Sequence, residues 1–361
     1  MRSIKRRASL AVRVAAVILA LLAALSLCGC QKGSDVPLSP GLKMIEGVPV
    51  YDDDVAMRTD HFTVTPGMMA FFFYDYGGEM ITVMEQSKTF DDSLSLHDQI
   101  YTDGLSWYEV IMNATLEKVS TMLIYCEAAY AAGVALTAEQ SSAIDSEISS
   151  ATMEAAAAYS MSLEEYCQAL YGPLMTAADL RSVLELEMLA NAYSLTVTAE
   201  LEGSITESAA REYAATNGLT DETPSRNIAY IAVPYVNGAA NDSKVTAILA
   251  ALAQAPREET LSAYTADGTV GSEKNLTPDN TNISAISDWL FAPGRASGDS
   301  GRIEAGSYTY VLLYTGNGMS YAEVSARMSL YDSAYAAWYN GWVERLEFGY
   351  NYDVIDGYDV T

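Results

Sequence analysis

The chain changes character at the stretch NIAYIAV, residues 227–233, which follows Pro224. Its density of β-branched and aromatic residues predicts a buried β-strand. The stretch YTYVLLY, residues 308–314, has the same composition and predicts a second strand. Between the two strands the pattern predicts short helical segments at 243–255, 258–266 and 287–291 and a loop at 268–284. We therefore expect residues 223–318 to form a small α/β domain.

The sequence before this domain predicts helices over residues 61–222. A long helix is expected from about residue 105 to residue 132, ended by Gly133. Further helix starts carry a hydroxyl residue followed three positions later by Gln, Glu or Asp, at Thr137/Gln140, Ser162/Glu165 and Thr176/Asp179. Short connections between such helices predict an all-α domain.

The chain ends with a predicted long helix that begins at the capping pair Ser320 and Glu323. Apolar and aromatic residues recur along it at spacings of three and four, namely Tyr321, Val324, Met328, Tyr331, Tyr335, Trp338, Trp342 and Leu346. Such a stripe predicts a buried packing face. We expect residues 319–361 to pack back on the helical domain, and the fold class to be α+β, mainly α.

The N-terminus has the pattern of an export signal. Residues 1–29 carry five basic residues and no acidic one, followed by an apolar run at 14–27 that is shorter than the ~20 residues of a membrane span. The sequence Leu27-Cys28-Gly29-Cys30 then resembles a bacterial lipobox, and Cys30 fits best as the lipidated residue because Gly29 is small. An ordinary signal peptide with incidental cysteines is the alternative. The Gly-, Ser- and Pro-containing residues 30–60 predict a flexible tether.

Charge and composition exclude several function classes. The chain has 20 Lys and Arg against 47 Asp and Glu, a net charge of −27, so a nucleic-acid partner is excluded. His61 and His97 are the only histidines, and neither lies in a recognisable hydrolase context. Phosphate-loop and metal-binding spacings are lacking from the sequence. We therefore expect no metal and no cofactor.

Two cysteines, Cys126 and Cys167, follow the lipobox. They could form a disulfide in an oxidising compartment. Cys126, however, lies on an apolar stripe with helical spacing, which favours two buried free thiols.

The order of these segments resembles that of the PrsA-type foldase lipoproteins and the SurA-type periplasmic chaperones. The resemblance rests on fragments in the helical half: Phe62-Thr63-Val64-Thr65, Gly104-Leu105-Ser106-Trp107, Ala132-Gly133-Val134-Ala135-Leu136-Thr137, Ser162-Leu163-Glu164-Glu165-Tyr166 and Tyr171-Gly172. It implies a chaperone that binds unfolded secreted chains, with a SurA-like helical domain and an inserted parvulin-like peptidyl-prolyl isomerase domain.

The domain at 223–318 departs from the parvulin pattern. Parvulins usually have a histidine in the first strand, near Arg226 here, and another after a tyrosine in the last strand, where Tyr308 precedes Thr309. The surviving fragments are Trp289-Leu290-Phe291, Gly294-Arg295 and Gly298-Asp299. The resemblance therefore implies a degenerate module with weak or lost isomerase activity, whose pocket residues would be Trp289, Phe291, Thr309 and Tyr310.

The sequence thus predicts a lipid-anchored chaperone on the outer face of the bacterial cytoplasmic membrane. Its partners would be unfolded secreted polypeptides and, through the N-terminal lipid, the membrane. Methionine and aromatic side chains adapt to many partners, which makes Met68, Met69, Phe72, Trp338 and Trp342 the candidate client-binding residues. An active prolyl isomerase and a lipoprotein that binds a solute or a wall polymer are the alternatives.

Overall fold

The computed structural model describes residues 39, 41–87, 90–91, 93–236 and 238–358. The predicted signal peptide, Cys30 and the first part of the predicted tether lie outside the described residues. The fold is α+β and mainly α, as predicted. It divides into two compact units, one holding the residues up to Glu200 and those from Tyr335 onward, the other Leu201–Ala334.

Unit 1 is mainly helical. Its helices are α1 (Pro66–Gln86), α2 (Trp107–Ala131), α3 (Ala138–Glu154), α4 (Leu163–Tyr171) and α5 (Ala177–Ser204), whose last four residues fall in unit 2. The capping pairs predicted at Thr137 and Ser162 are confirmed, since each hydroxyl accepts a hydrogen bond from the backbone N–H three residues on. Gly133, with a φ of +70°, adopts the left-handed conformation directly after α2.

A small sheet in unit 1 joins the two ends of the described chain. Strands β1 (Gly47–Pro49), β2 (Met57–Arg58) and β3 (Thr63–Val64) combine with β10 (Phe348–Tyr350) in the order β1-β10-β2-β3. At Gly47 a Cβ atom would lie 2.3 Å from the carbonyl oxygen of Phe348, so the close approach of β1 and β10 requires glycine. Residues 41–60, predicted as tether, therefore belong in part to this sheet.

Further elements of unit 1 are short. Strands β4 (Ile100–Thr102) and β5 (Leu105–Ser106) pair with each other. The helix predicted to begin near residue 105 begins at Trp107 instead, because Ser106 caps it in a reciprocal pair with Glu109.

Unit 2 is built on an antiparallel sheet of order β7-β6-β9-β8. Its elements are α6 (Glu207–Thr216), β6 (Pro224–Pro234), α7 (Asp242–Gln254), α8 (Glu258–Ser262), β7 (Thr269–Leu276), α9 (Ser284–Leu290), β8 (Ser300–Ala305) and β9 (Tyr308–Ser320). Both predicted strands are confirmed and are longer than expected. The loop predicted at 268–284 is wrong over its first half, where β7 pairs with β6.

Helices cover both faces of the unit 2 sheet. Helices α7 and α8 pack on the face of Ile231, Val311 and Leu313, and α9 packs on the face of Ile228 and Leu312. Side chains alternate between the two faces along each strand. Neighbouring residues such as Leu312 and Leu313 therefore lie in different cores.

The last long helix is α10 (Tyr321–Val343), followed by β10 and α11 (Tyr352–Ile355). In unit 2, Ala322 and Ala326 of α10 pack against two alanines of α6. This packing assigns α6 to unit 2, although the predicted domain boundary lies after residue 222. The predicted packing face is buried only in part: Val324 is buried, Met328 is 52% exposed, and the aromatic residues from Tyr331 to Trp342 are half-buried.

Candidate functional site

The part of α10 that lies in unit 1 carries four half-buried aromatic residues, named here the α10 aromatic face: Tyr335, Trp338, Tyr339 and Trp342. Their spacings of three and four place neighbouring rings on one side of the helix. The ring centroids of Tyr335 and Trp338 lie 6.0 Å apart, and those of Tyr335 and Tyr339 lie 6.1 Å apart. The helix therefore presents aromatic surface that is neither fully buried nor fully exposed.

Contacts with α2 hold this face in position. The Trp338 ring packs against that of buried Tyr125, with centroids 5.0 Å apart. The Tyr125 hydroxyl donates to the Tyr335 hydroxyl at 3.4 Å, and the hydroxyls of Thr121 and Tyr339 also lie 3.4 Å apart. Burial raises the pKa of Tyr339, so this phenol is neutral at physiological pH. Tyr335 and Tyr339 are thus held by hydroxyl contacts and Trp338 by ring packing, and all four rings stay half-buried.

The surroundings of the face are strongly acidic. Residues 41–200 and 335–361 contain 30 Asp and Glu but only six Lys and Arg. One of the six, Arg345, holds its guanidinium 5.7 Å from the centroid of the Trp342 ring. This contact is a cation–π pair, the interaction that a basic residue of a partner would also make with such rings.

The structure corrects part of the predicted client-binding set. Met68, Met69 and Phe72 are fully buried in the core of unit 1, with 2%, 0% and 0% of their surface exposed. They lie near the start of α1, where an apolar run faces neighbouring helices, so they stabilise the fold and contact no partner in this conformation. Trp338 and Trp342 alone remain as surface candidates.

A second cluster lies on the unit 2 sheet beside α9 and is named here the α9 face: Trp289, Phe291, Tyr310 and Tyr230. The structure brings together three of the predicted pocket residues, Trp289, Phe291 and Tyr310. Thr309 is not among them, because neighbouring residues of β9 point to opposite faces and Thr309 lies on the α7 side. Its hydroxyl is buried there and has no hydrogen-bond partner among the residues that the structure describes.

Two glycines make room for rings of the α9 face. A Cβ atom on Gly271 of β7 would lie 2.6 Å from the Tyr230 ring, and one on Gly301 of β8 would lie 2.2 Å from Nε1 of Trp289. Each ring therefore lies directly on the backbone of a neighbouring strand. This arrangement uses glycine as a platform for an aromatic side chain.

Two arginines pack on two rings of this face, Phe291 and Trp289. The Arg226 guanidinium lies 5.4 Å from the centroid of Phe291 and donates a hydrogen bond to the carbonyl oxygen of Leu290. The Arg295 guanidinium lies 4.1 Å from the Trp289 centroid and donates to the Trp289 carbonyl oxygen at 3.1 Å. Sequence reasoning missed Arg226 and Tyr230 as parts of this face, although their even spacing on β6 could have indicated a shared side.

The chemistry available on the α9 face is limited. Burial raises the pKa of Tyr310 and of Tyr230, with nearby Glu273 contributing, so both phenols stay protonated near neutral pH. Residues 201–334 contain no histidine. The face can therefore bind apolar rings, but it has no imidazole for proton transfer.

Both histidines lie in unit 1 and make structural contacts. The carboxylate of buried Glu127 accepts hydrogen bonds from the backbone N–H of His61 at 2.8 Å and from the Thr59 hydroxyl at 2.6 Å, and its second oxygen lies 2.7 Å from Nδ1 of His61. His97 stacks on Tyr108 with centroids 3.7 Å apart. The Glu127 contacts attach the turn between β2 and β3 to α2. The His97 contact attaches the segment before β4 to the same helix.

Cys126 and Cys167 are both free and buried, which confirms the interpretation of two free thiols. Burial raises the pKa of each thiol to about 12, so neither is a nucleophile near neutral pH. Cys167 borders an apolar crevice of about 20 Å³ between α3, α4 and α5. That volume holds about one water molecule.

The described residues contain no group of three or more His, Cys, Asp or Glu side chains that could hold a metal ion. Within the same part of the chain, no helix has the length and apolar composition needed to cross a membrane.

Comparison with known proteins gave matches only to solved structures: no protein-family model and no curated protein matches the chain. PrsA from Bacillus subtilis is similar at a TM-score of 0.31 and 13% identity, over 68% of this chain and 89% of that chain. A SurA-like chaperone of Campylobacter jejuni, from work on PEB4 and Cj1289, is similar at a TM-score of 0.24 and 9% identity, over 82% and 98% of the two chains.

PrsA from Streptococcus pneumoniae is similar at a TM-score of 0.23 and 14% identity, over 72% of this chain and 88% of that chain. All three neighbours are of the class that the sequence resembles.

Proposed function

We propose that the protein is an extracytoplasmic chaperone or foldase that binds unfolded secreted polypeptides through the α10 aromatic face. The observation that carries the proposal is the set of four half-buried rings fixed on one helix of an acidic unit. Tryptophan and tyrosine side chains offer a large apolar area together with a polar tip, so they bind many sequences without a deep pocket.

The acidic surroundings support a preference for basic clients. Net negative charge keeps an aromatic surface soluble and repels acidic polypeptides. Lysine and arginine side chains of a client would gain both charge attraction and cation–π contacts with Trp338 and Trp342, as Arg345 does within the chain.

The test measures suppression of client aggregation. Wild-type protein is expected to suppress the aggregation of reduced, unfolded lysozyme, a basic client, at near-stoichiometric ratio. The double variant Trp338→Ala/Trp342→Ala should bind this client at least ~10-fold more weakly, as expected for loss of aromatic anchors. Tyr51→Ala, which removes an 87% exposed ring outside the face, is the matched control. Equal activity of the double variant and the control would contradict the proposal.

Prolyl isomerase activity is proposed to be weak or lost. The α9 face supplies apolar walls, but unit 2 has no histidine and Thr309 lies on the opposite side of the sheet. A protease-coupled assay with a proline peptide should give no turnover that depends on Trp289 or Phe291. Turnover that disappears in Trp289→Ala would instead establish the active isomerase.

Anchoring through lipid at Cys30 is part of the same proposal and rests on the lipobox. The Cys30→Ala chain is expected to leave the membrane fraction, and processing of the wild-type precursor should be sensitive to globomycin. A Cys30→Ala chain that stays with the membrane would contradict the anchor.

A further inference from the structure

Strand β7 is an edge of the unit 2 sheet, and its outer side pairs with no strand among the residues that the structure describes. Four of its residues are exposed: Thr269, Ser272, Glu273 and Lys274. The other edge strand, β8, has α7 and α9 beside it. An exposed edge strand is a template for another extended chain, because its outward N–H and C=O groups lack partners.

The hydrogen bonds of the sheet determine which groups of β7 point outward. The backbone of Tyr314 bonds with Asp299 and Gly298, at 2.9 and 2.8 Å, and therefore points away from β6. The Tyr235 N–H donates to the carbonyl oxygen of Ser307 at 2.9 Å and points toward β9. Because backbone groups alternate in direction along an antiparallel strand, the odd-numbered residues of β6 point toward β9 and the even-numbered ones toward β7.

The register then assigns each residue of β7. The residues that face even-numbered positions of β6 are Thr269, Gly271 and Glu273, so their N–H and C=O groups point inward. The backbone groups of Val270 and Ser272 point outward, where β7 pairs with no strand among the described residues.

We propose that the outer edge of β7 binds an extended segment of an unfolded client as a fifth strand of the unit 2 sheet. This inference rests on the proposed chaperone function and adds a second mode of client binding to it. Main-chain hydrogen bonds do not depend on sequence, which suits a protein with many clients.

The side chains beside this edge favour a particular kind of segment. On the α9 side of the sheet, the added strand would lie beside Gly271 and Glu273. The Tyr230 ring occupies the space over Gly271, and Glu273 presents its carboxylate. A client segment with an apolar and a basic residue two positions apart would place the first beside the Tyr230 ring and the second beside the Glu273 carboxylate. A second copy of this chain is disfavoured as the occupant, since the chain carries a net charge of −27.

The test uses a substitution that acts only on the outer side of the strand. Proline is tolerated in an edge strand where its missing N–H faced solvent, so Ser272→Pro keeps the pairing of β7 with β6. Ser272→Ala keeps the N–H and is the matched control. Full-length Ser272→Pro should bind reduced, unfolded lysozyme about 3- to 10-fold more weakly than Ser272→Ala, as expected for loss of one hydrogen bond.

Amide hydrogen exchange on the wild-type protein gives a reading that does not depend on the variant's folding. Client binding should slow exchange at Val270 and Ser272 but not at Gly271, which is already bonded. Unchanged exchange at both outward amides, or equal affinity of the proline and alanine variants, would overturn the inference. If Trp338→Ala/Trp342→Ala weakens binding in that case, the proposed function stands without the β7 edge. A wild-type chain that binds no lysozyme overturns both.

Discussion

Glu187 is the residue through which pH should act most directly on the fold of unit 1. It lies on α5 with 11% of its side chain exposed, and the Lys118 ammonium lies 3.7 Å from its carboxylate. Burial raises the pKa of Glu187 to about 7, with Asp75 adding to the effect and Lys118 opposing it. Lys118 also bonds to the Asp75 carboxylate at 3.1 Å, so two acids share one half-buried cation.

The sign of the effect follows from the two pKa values. In the unfolded chain the carboxyl group has its ordinary pKa of 4.5. Between that value and about pH 7 the folded chain holds a proton that the unfolded chain has lost, so folding becomes less favourable as the pH rises. The difference between the two pKa values corresponds to about 3 kcal/mol of folding stability. This stability is present in full well below pH 4.5 and is lost as the pH rises through about 7.

The assay is urea unfolding at pH 5 and at pH 8. Between these values wild-type protein should lose about 2.5 kcal/mol of stability more than Glu187→Gln, in which this site cannot titrate. Glu185→Gln on the same helix is the control, since Glu185 is 45% exposed, and it should follow the wild type. The same pH dependence in Glu187→Gln and wild type would refute the reasoning.

Other predictions concern the contacts that fix each unit. Glu127→Ala should lower the free energy of unfolding by ~1–3 kcal/mol, because it leaves the buried Thr59 hydroxyl without an acceptor and removes the contacts with His61; urea unfolding measures this. Gly301→Ala should displace the indole of Trp289 and change the tryptophan emission, since the new Cβ would overlap it. In a chain without the lipobox cysteines, Cys126 and Cys167 should react with a thiol reagent only after unfolding.

Matched variants separate these effects from general damage. Glu117→Ala removes an exposed acid from the same helix as Glu127 and should change stability by less than ~0.5 kcal/mol. Gly341→Ala adds a Cβ atom where no atom lies within 4 Å, and it should leave the emission spectrum unchanged. Rapid reaction of either thiol in the native chain would contradict its burial.

Sequence signals that act over a few residues predicted much of the helical structure. The capping pairs at Thr137, Ser162 and Ser320 mark true helix starts, since each hydroxyl bonds to a backbone N–H three residues on. Such bonds depend on neighbours in the sequence alone. The strands at 227–233 and 308–314 were predictable for a similar reason, because central strands are dense in apolar residues.

Elements whose stability depends on distant partners could not be predicted in this way. Strand β7 has a loop-like composition, and it is a strand because β6 supplies its hydrogen bonds. Strand β1 lies in the predicted tether and pairs with β10 at the other end of the chain. Composition does not show such partners.

The candidate sites were predictable only in part. The segment containing Met68 and Phe72 has the composition of a binding surface, but packing against neighbouring helices buries it. The segment that contains Trp338 and Trp342 is also rich in aromatic residues, but these two side chains remain half-exposed. Thr309 is a different case, since the two-residue alternation of a strand already separates it from Tyr310.

The central claim is that unfolded polypeptide contacts the α10 aromatic face. The most direct measurement places a photo-crosslinking amino acid at position 342, at position 51 as an exposed control, or at position 69 as a buried one, and adds reduced, unfolded lysozyme. We expect a crosslinked product from position 342 and little from positions 51 and 69. Equal crosslinking from positions 51 and 342, or none from position 342 while the chain still suppresses aggregation, would contradict it.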